Sequence, residues 1–99
     1  MDVKQAEIEI FNAVTPNGDG AHDFLKIKHI EQYSGSRVII LDRIGNEVFR
    51  MIDYNNDMTV RRFEGYSNVG SMKALTDGTY YYVIDIGSDK YTGFLLLQR

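Results

Sequence analysis

Residues 77–98 read Asp77-Gly78-Thr79-Tyr80-Tyr81-Tyr82-Val83-Ile84-Asp85-Ile86-Gly87-Ser88-Asp89-Lys90-Tyr91-Thr92-Gly93-Phe94-Leu95-Leu96-Leu97-Gln98, and this stretch decides the fold. Asp77-Gly78 is a turn dipeptide, and Gly87-Ser88-Asp89-Lys90 is a second tight turn. The two runs that follow these turns are dense in tyrosine and branched aliphatic residues, which suit a pleated, half-buried surface. They are expected to pair as an antiparallel hairpin, 79–86 with 91–98. Gly78-x-Tyr80-x-Tyr82 also has the spacing of a tyrosine corner, in which the first hydroxyl bonds backbone upstream. A buried stripe of Tyr80, Tyr82, Ile84 and Ile86 explains the same residues. Both readings are structural.

Outward from this hairpin the chain repeats the pattern of short strands and turns. Ala6, Ile8 and Ile10 alternate with Glu7 and Glu9, which predicts a half-buried strand over about residues 3–13. Residues 16–23 form a polar, glycine-bearing loop, after which Leu25 and Ile27 alternate with Lys26 and Lys28. Val38-Ile39-Ile40-Leu41 is apolar at successive positions, as in a central strand covered on both faces. Gly45-Asn46 tolerates positive φ, so 37–43 and 47–53 read as a second hairpin. Residues 55–77 carry the weakest pattern: a strand around 59–63, then a loop with Gly65, Ser67, Asn68, Gly70 and Ser71. About seven strands with turns between them point to an all-β fold, an immunoglobulin-like antiparallel β-sandwich. No linker or internal repeat interrupts it, so residues 1–99 read as one domain.

Composition narrows the function classes. Apolar residues at 43% and charged residues at 25% are globular values and exclude a disordered chain. Eleven basic against 14 acidic side chains leave a charge of −3, and neither Lys26/Lys28 nor Arg61-Arg62 extends into a basic stripe. Nucleic-acid binding is therefore not expected. No run of 18 apolar residues occurs, which excludes a membrane-spanning helix. Cysteine is absent, and with it any disulfide or thiol nucleophile.

No catalytic residue is expected. His29 shares a face with Leu25 and Ile27 and reads as a partly buried strand-end residue, while His22 sits in the glycine-bearing loop and should face solvent. No serine has a nucleophile-elbow context, no glycine loop opens a helix, and the carboxylates are scattered singly. Asn17, Asp19 and Asp23, with Gly20 at the turn, offer oxygens at calcium-loop spacing. Thr15 and Lys26 stand where the first acid and the bidentate Glu belong, so calcium would bind weakly. A metal-free turn closed by Asx bonds is the stronger reading, and no other cofactor is expected. Tyr81 and Tyr91 read as lying opposite the apolar stripes of the final hairpin. Such a row suits an adhesion or carbohydrate-binding module, although half-exposed strand tyrosines are also ordinary. Residues 93–99 form an apolar last strand, either an open sheet edge for β-augmentation or a paired core strand.

Four blocks together resemble a known family. They are Phe11-Asn12-Ala13-Val14-Thr15-Pro16-Asn17-Gly18-Asp19-Gly20 with Asp23; Val38 through Phe49, containing Arg43, Gly45 and Asn46; Leu75-Thr76-Asp77-Gly78-Thr79-Tyr80-Tyr81-Tyr82-Val83-Ile84; and Tyr91-Thr92-Gly93-Phe94-Leu95-Leu96-Leu97-Gln98-Arg99. Their order is that of the gliding-motility-associated C-terminal domain, the type-B sorting domain of the Bacteroidota type IX secretion system. The resemblance spans residues 8–99. Within it Ile44 and Phe63-Glu64-Gly65 stand where the family has Trp and Trp-Asp-Gly, and His22 where it has Asn. It marks Thr15, Pro16, Asn17, Gly18, Asp19, Gly20, Asp23, Arg43, Gly45, Asn46, Asp77, Gly78, Thr79, Tyr80, Gly93, Phe94, Leu97 and Arg99 as the recognition motif. It implies a C-terminal secretion signal, read by the outer-membrane translocon with a type-B-specific partner membrane protein. By the same resemblance the parent protein is longer, reaches the surface or medium via the periplasm, and carries its own N-terminal signal. Residues 1–5 lack the apolar run of such a signal, so Met1 is read as an expression start. The resemblance implies no direct membrane insertion and no small-molecule substrate.

Overall fold

The alternating runs become strands in the computed structural model, which describes residues 7–16, 18 and 22–99. The strands are β1 (Glu9–Phe11), β2 (Ala13–Val14), β3 (Lys26–Lys28), β4 (Arg37–Leu41), β5 (Glu47–Ile52), β6 (Gly78–Asp85) and β7 (Lys90–Leu97). They form two sheets: β1 pairs with β3, and five strands run in the order β2-β7-β6-β4-β5. No α-helix occurs among the described residues. The architecture is the expected immunoglobulin-like sandwich.

The final hairpin pairs from Gly78↔Leu97 to Asp85↔Lys90, and Ile86 N–H donates to the Asp89 carbonyl across its turn. Gly87 supplies the positive φ there, at +94°. β4 is central as expected, paired with β5 on one side and β6 on the other. A bulge between Ile40 and Leu41 leaves Val48 unopposed on β5.

The first run divides at Asn12. Its leading half pairs antiparallel with β3, and its trailing half crosses to the other sheet and runs parallel to β7, Ala13↔Leu96 and Val14↔Leu97. A strand that changes sheets closes a corner of the sandwich. It also settles the status of the last strand. β7 is flanked by β6 and, over Leu96–Leu97, by β2, so the sheet's outermost strands are β2 and β5 and not β7. Ala6 and the start of the expected first strand lie outside the described residues.

The core lies between the sheets. Ile8, Leu25, Ile27 and Ile30 join Val14, Val38, Ile40, Ile84, Leu95 and Leu97 in one cluster with Phe49, Tyr54 and Phe63. Phe49 meets Phe63 edge-on at 5.1 Å and Tyr54 at 6.3 Å.

The expected strand around 59–63 is absent; Thr59–Arg61 is a 3-10 turn. Single side chains do the pairing in its place. The Asn56 amide accepts from Ile27 N–H at 2.9 Å and donates to the Ile27 carbonyl at 2.7 Å, as a neighbouring strand would. The Tyr54 hydroxyl donates to the Leu25 carbonyl at 2.6 Å and accepts from Phe63 N–H at 2.8 Å. Asn68 covers β5 likewise, its amide bonding both Arg50 N–H and the Arg50 carbonyl at 2.8 Å. The count of seven holds because the first run divides, not because 59–63 is extended.

Candidate functional site

Strand direction builds the site. β2 is parallel to β7, and β6 is antiparallel to both β7 and β4. The C-terminal ends of β2, β4 and β7 therefore meet the N-terminal ends of β5 and β6 at one pole of the sandwich. Residues 15, 16, 18 and 22–25, loops 42–46 and 75–78, and residues 98–99 gather there.

Each piece is fastened by polar bonds. Thr15 N–H donates to the His22 carbonyl at 2.6 Å, and Gly18 N–H donates to Asp23 Oδ1 at 3.1 Å. Asp23 thus turns its carboxylate onto the backbone of its own loop, as an Asx-closed turn requires. Asn17, Asp19 and Gly20 lie outside the described residues. His22 is exposed and His29 half-buried, both with positive φ.

In loop 42–46 the organiser is Asp42. Its Oδ1 accepts from Asn46 N–H at 2.9 Å and Ile44 N–H at 3.0 Å, while Gly45 takes φ of +91°. These bonds, led by that from the Asn46 backbone, hold the carboxyl below its ordinary range. Arg43 and Ile44 project into solvent, Ile44 by 83%. Ile44 thus has no packing role, whereas Phe63 is fully buried. Tyr80 donates its hydroxyl to the Thr76 carbonyl at 2.7 Å, which is the tyrosine corner; its ring also lies in the buried stripe.

Arg99 ties loop 75–78 to the end of β7. Its backbone N–H donates to Asp77 Oδ1 at 3.0 Å and its Nε to the Leu75 carbonyl at 3.1 Å. Beside it a shallow cleft of about 300 Å³ is lined by Pro16, Gly18 and Asp23 together with Arg62, Glu64, Tyr66 and Arg99.

Of the motif residues, Thr15, Pro16, Gly18, Asp23, Arg43, Gly45, Asn46, Asp77, Gly78, Thr79 and Arg99 meet at this pole. Three do not act there. Gly93 lies mid-strand under Tyr82, where a Cβ would come within 2.7 Å of the ring. Phe94 stands on the outer sheet face, and Leu97 is buried in the core. The aromatic row does not form. Tyr81 faces outward opposite Phe94, whereas Tyr91 pairs with Ile84 on the core face and packs against the core. Burial, then the nearby Asp89 and Glu7 carboxylates, push its hydroxyl pKa up.

The model of the CHU_C Type IX secretion signal domain matches residues 8–97, nearly the whole chain. The chain belongs to that family. No curated protein matches it. Membership makes the domain a type IX sorting signal that engages the type IX machinery and directs export to the cell surface or medium.

Sequence reasoning alone misses Asp42, Tyr54, Asn56 and Asn68. Asp42 had a local signal, an Asx-type residue ahead of Gly45-Asn46. The partners of Tyr54, Asn56 and Asn68 are 29, 29 and 18 residues away, beyond any local pattern.

Proposed function

We propose that this pole is the face by which the outer-membrane translocon reads the domain, aided by a partner membrane protein specific to type-B signals. The domain serves as the carboxy-terminal unit of a larger protein that reaches the translocon through the periplasm. Its role is an address, without catalysis and without a cofactor; the Asp23 carboxylate is turned onto the Gly18 backbone. The observation that carries this reading is the gathering of motif residues from four separate blocks at one end of the sandwich. Each block is fastened by at least one bond within the domain. Such a preformed surface loses little conformational freedom on docking.

Photo-crosslinking in cells with a working type IX system tests it. A crosslinker at Arg43 should capture an outer-membrane protein, and one at Ser88, in the turn at the opposite pole, should not. Capture from Ser88 alone would place the docking face elsewhere.

A further inference from the structure

Arg99 makes contacts that suit a planar guanidinium and not a compact cation. Nε donates to the Leu75 carbonyl at 3.1 Å, Nη2 donates to the Gly65 carbonyl, and the group lies 5.2 Å over the Tyr66 ring. Gly65 and Leu75 are the two ends of one loop, joined by the Leu75 N–H donating to the Gly65 carbonyl at 2.9 Å and by a Tyr66–Ala74 bridge. The guanidinium therefore spans the mouth of loop 65–75. Gly65 gives it room: its φ is +89°, and a Cβ there would lie 2.8 Å from Arg99 Nη2 and 3.2 Å from Leu97 Cδ1. Across the loop, Ser67 N–H donates to the Lys73 carbonyl at 2.9 Å, and Asn68 fastens the far side to β5.

We infer that Arg99 is the positioning residue of the docking pole. Its fork of donors, rather than its charge, sets loop 65–75 and Tyr66 at the cleft they share with Pro16, Gly18 and Asp23. This rests on the reading that the pole docks. A cation contacted directly by the machinery would be served by lysine almost as well. A latch that must reach two carbonyls at once would not.

The test is export of a reporter fused to residues 1–99, with Arg99→Lys, Arg99→Ala, Gly65→Ala and Ile84→Val variants. Arg99→Lys and Arg99→Ala should each reduce export about tenfold, the scale of one charge-assisted contact. Gly65→Ala should match them with the charge intact, and combining it with Arg99→Ala should add little. Hydrogen exchange at the Leu75 and Ser67 amides should quicken in Arg99→Lys. Ile84→Val, which trims the core away from the pole, should lower the thermal midpoint yet keep export and those amides unchanged. Wild-type export in Arg99→Lys, or unaltered exchange, would overturn the latch. Arg43→Glu separates this from the docking reading. If it loses export while Arg99→Lys keeps it, the latch alone falls; if both keep it, the docking pole falls as well.

Discussion

The five-stranded sheet and residues 53–77 are held together by opposite means. In the sheet, period-2 alternation buries Val38, Ile40, Ile84, Leu95 and Leu97, and the backbone ladder satisfies itself. In 53–77 regular pairing is nearly absent, and Tyr54, Asn56, Asn68 and Arg99 stand in for missing strands by bonding remote backbone groups. Apolar burial is non-directional and tolerates exchange of similar shapes. A side chain that replaces a strand has specific acceptors and donors, and no isostere supplies them.

The comparison predicts different responses to substitution. The largest effect is expected from Ile40→Ala, which empties a fully buried site between two sheets and should cost about 4 kcal/mol by denaturant unfolding. The sharper contrast is between two conservative changes. Tyr54→Phe strands the Leu25 carbonyl and Phe63 N–H in the core and should cost about 3 kcal/mol. Ile40→Val should cost only about 1 kcal/mol. Equal costs would break the distinction.

Asn68→Ala should cost about 1 kcal/mol, because its partners on β5 can turn to water. It also uncovers a sheet edge, so self-association in light scattering should rise. A smaller effect is expected from pH. Burial raises the Glu31 pKa, but hydrogen bonds from the Asn56 backbone and side chain outweigh it and hold the carboxyl below its ordinary 4.5. Protonation then favours the unfolded chain. This stability is present above pH 4.5 and is lost as pH falls through the lower folded value. Between neutral pH and about pH 3 the thermal midpoint should fall further in wild type than in Glu31→Gln. The smallest effect is expected from calcium: the midpoint should be the same in calcium and in chelator, since a cation bound only to the folded chain would raise it.

What could be read from the sequence follows the same division. The 37–53 and 77–98 hairpins, the tyrosine corner and the exposure of His22 were legible, because each signal lies within a few residues of its consequence. Sequence reasoning puts Tyr91 on the wrong face because the parity of β7 depends on register across the 86–89 turn, which places it opposite Ile84. The parallel pairing of β2 beside β7 was hidden too, since a switch at Asn12 leaves no mark on alternation. The four motif blocks were legible in the sequence; their meeting at one pole required the strand directions.

The most direct measurement is export of a reporter carrying an inner-membrane export signal and residues 1–99, compared between a type IX strain and its translocon-deficient derivative. The account predicts reporter at the surface or in the medium only where the translocon works. Reporter outside in both strains, or retained within both, would contradict it.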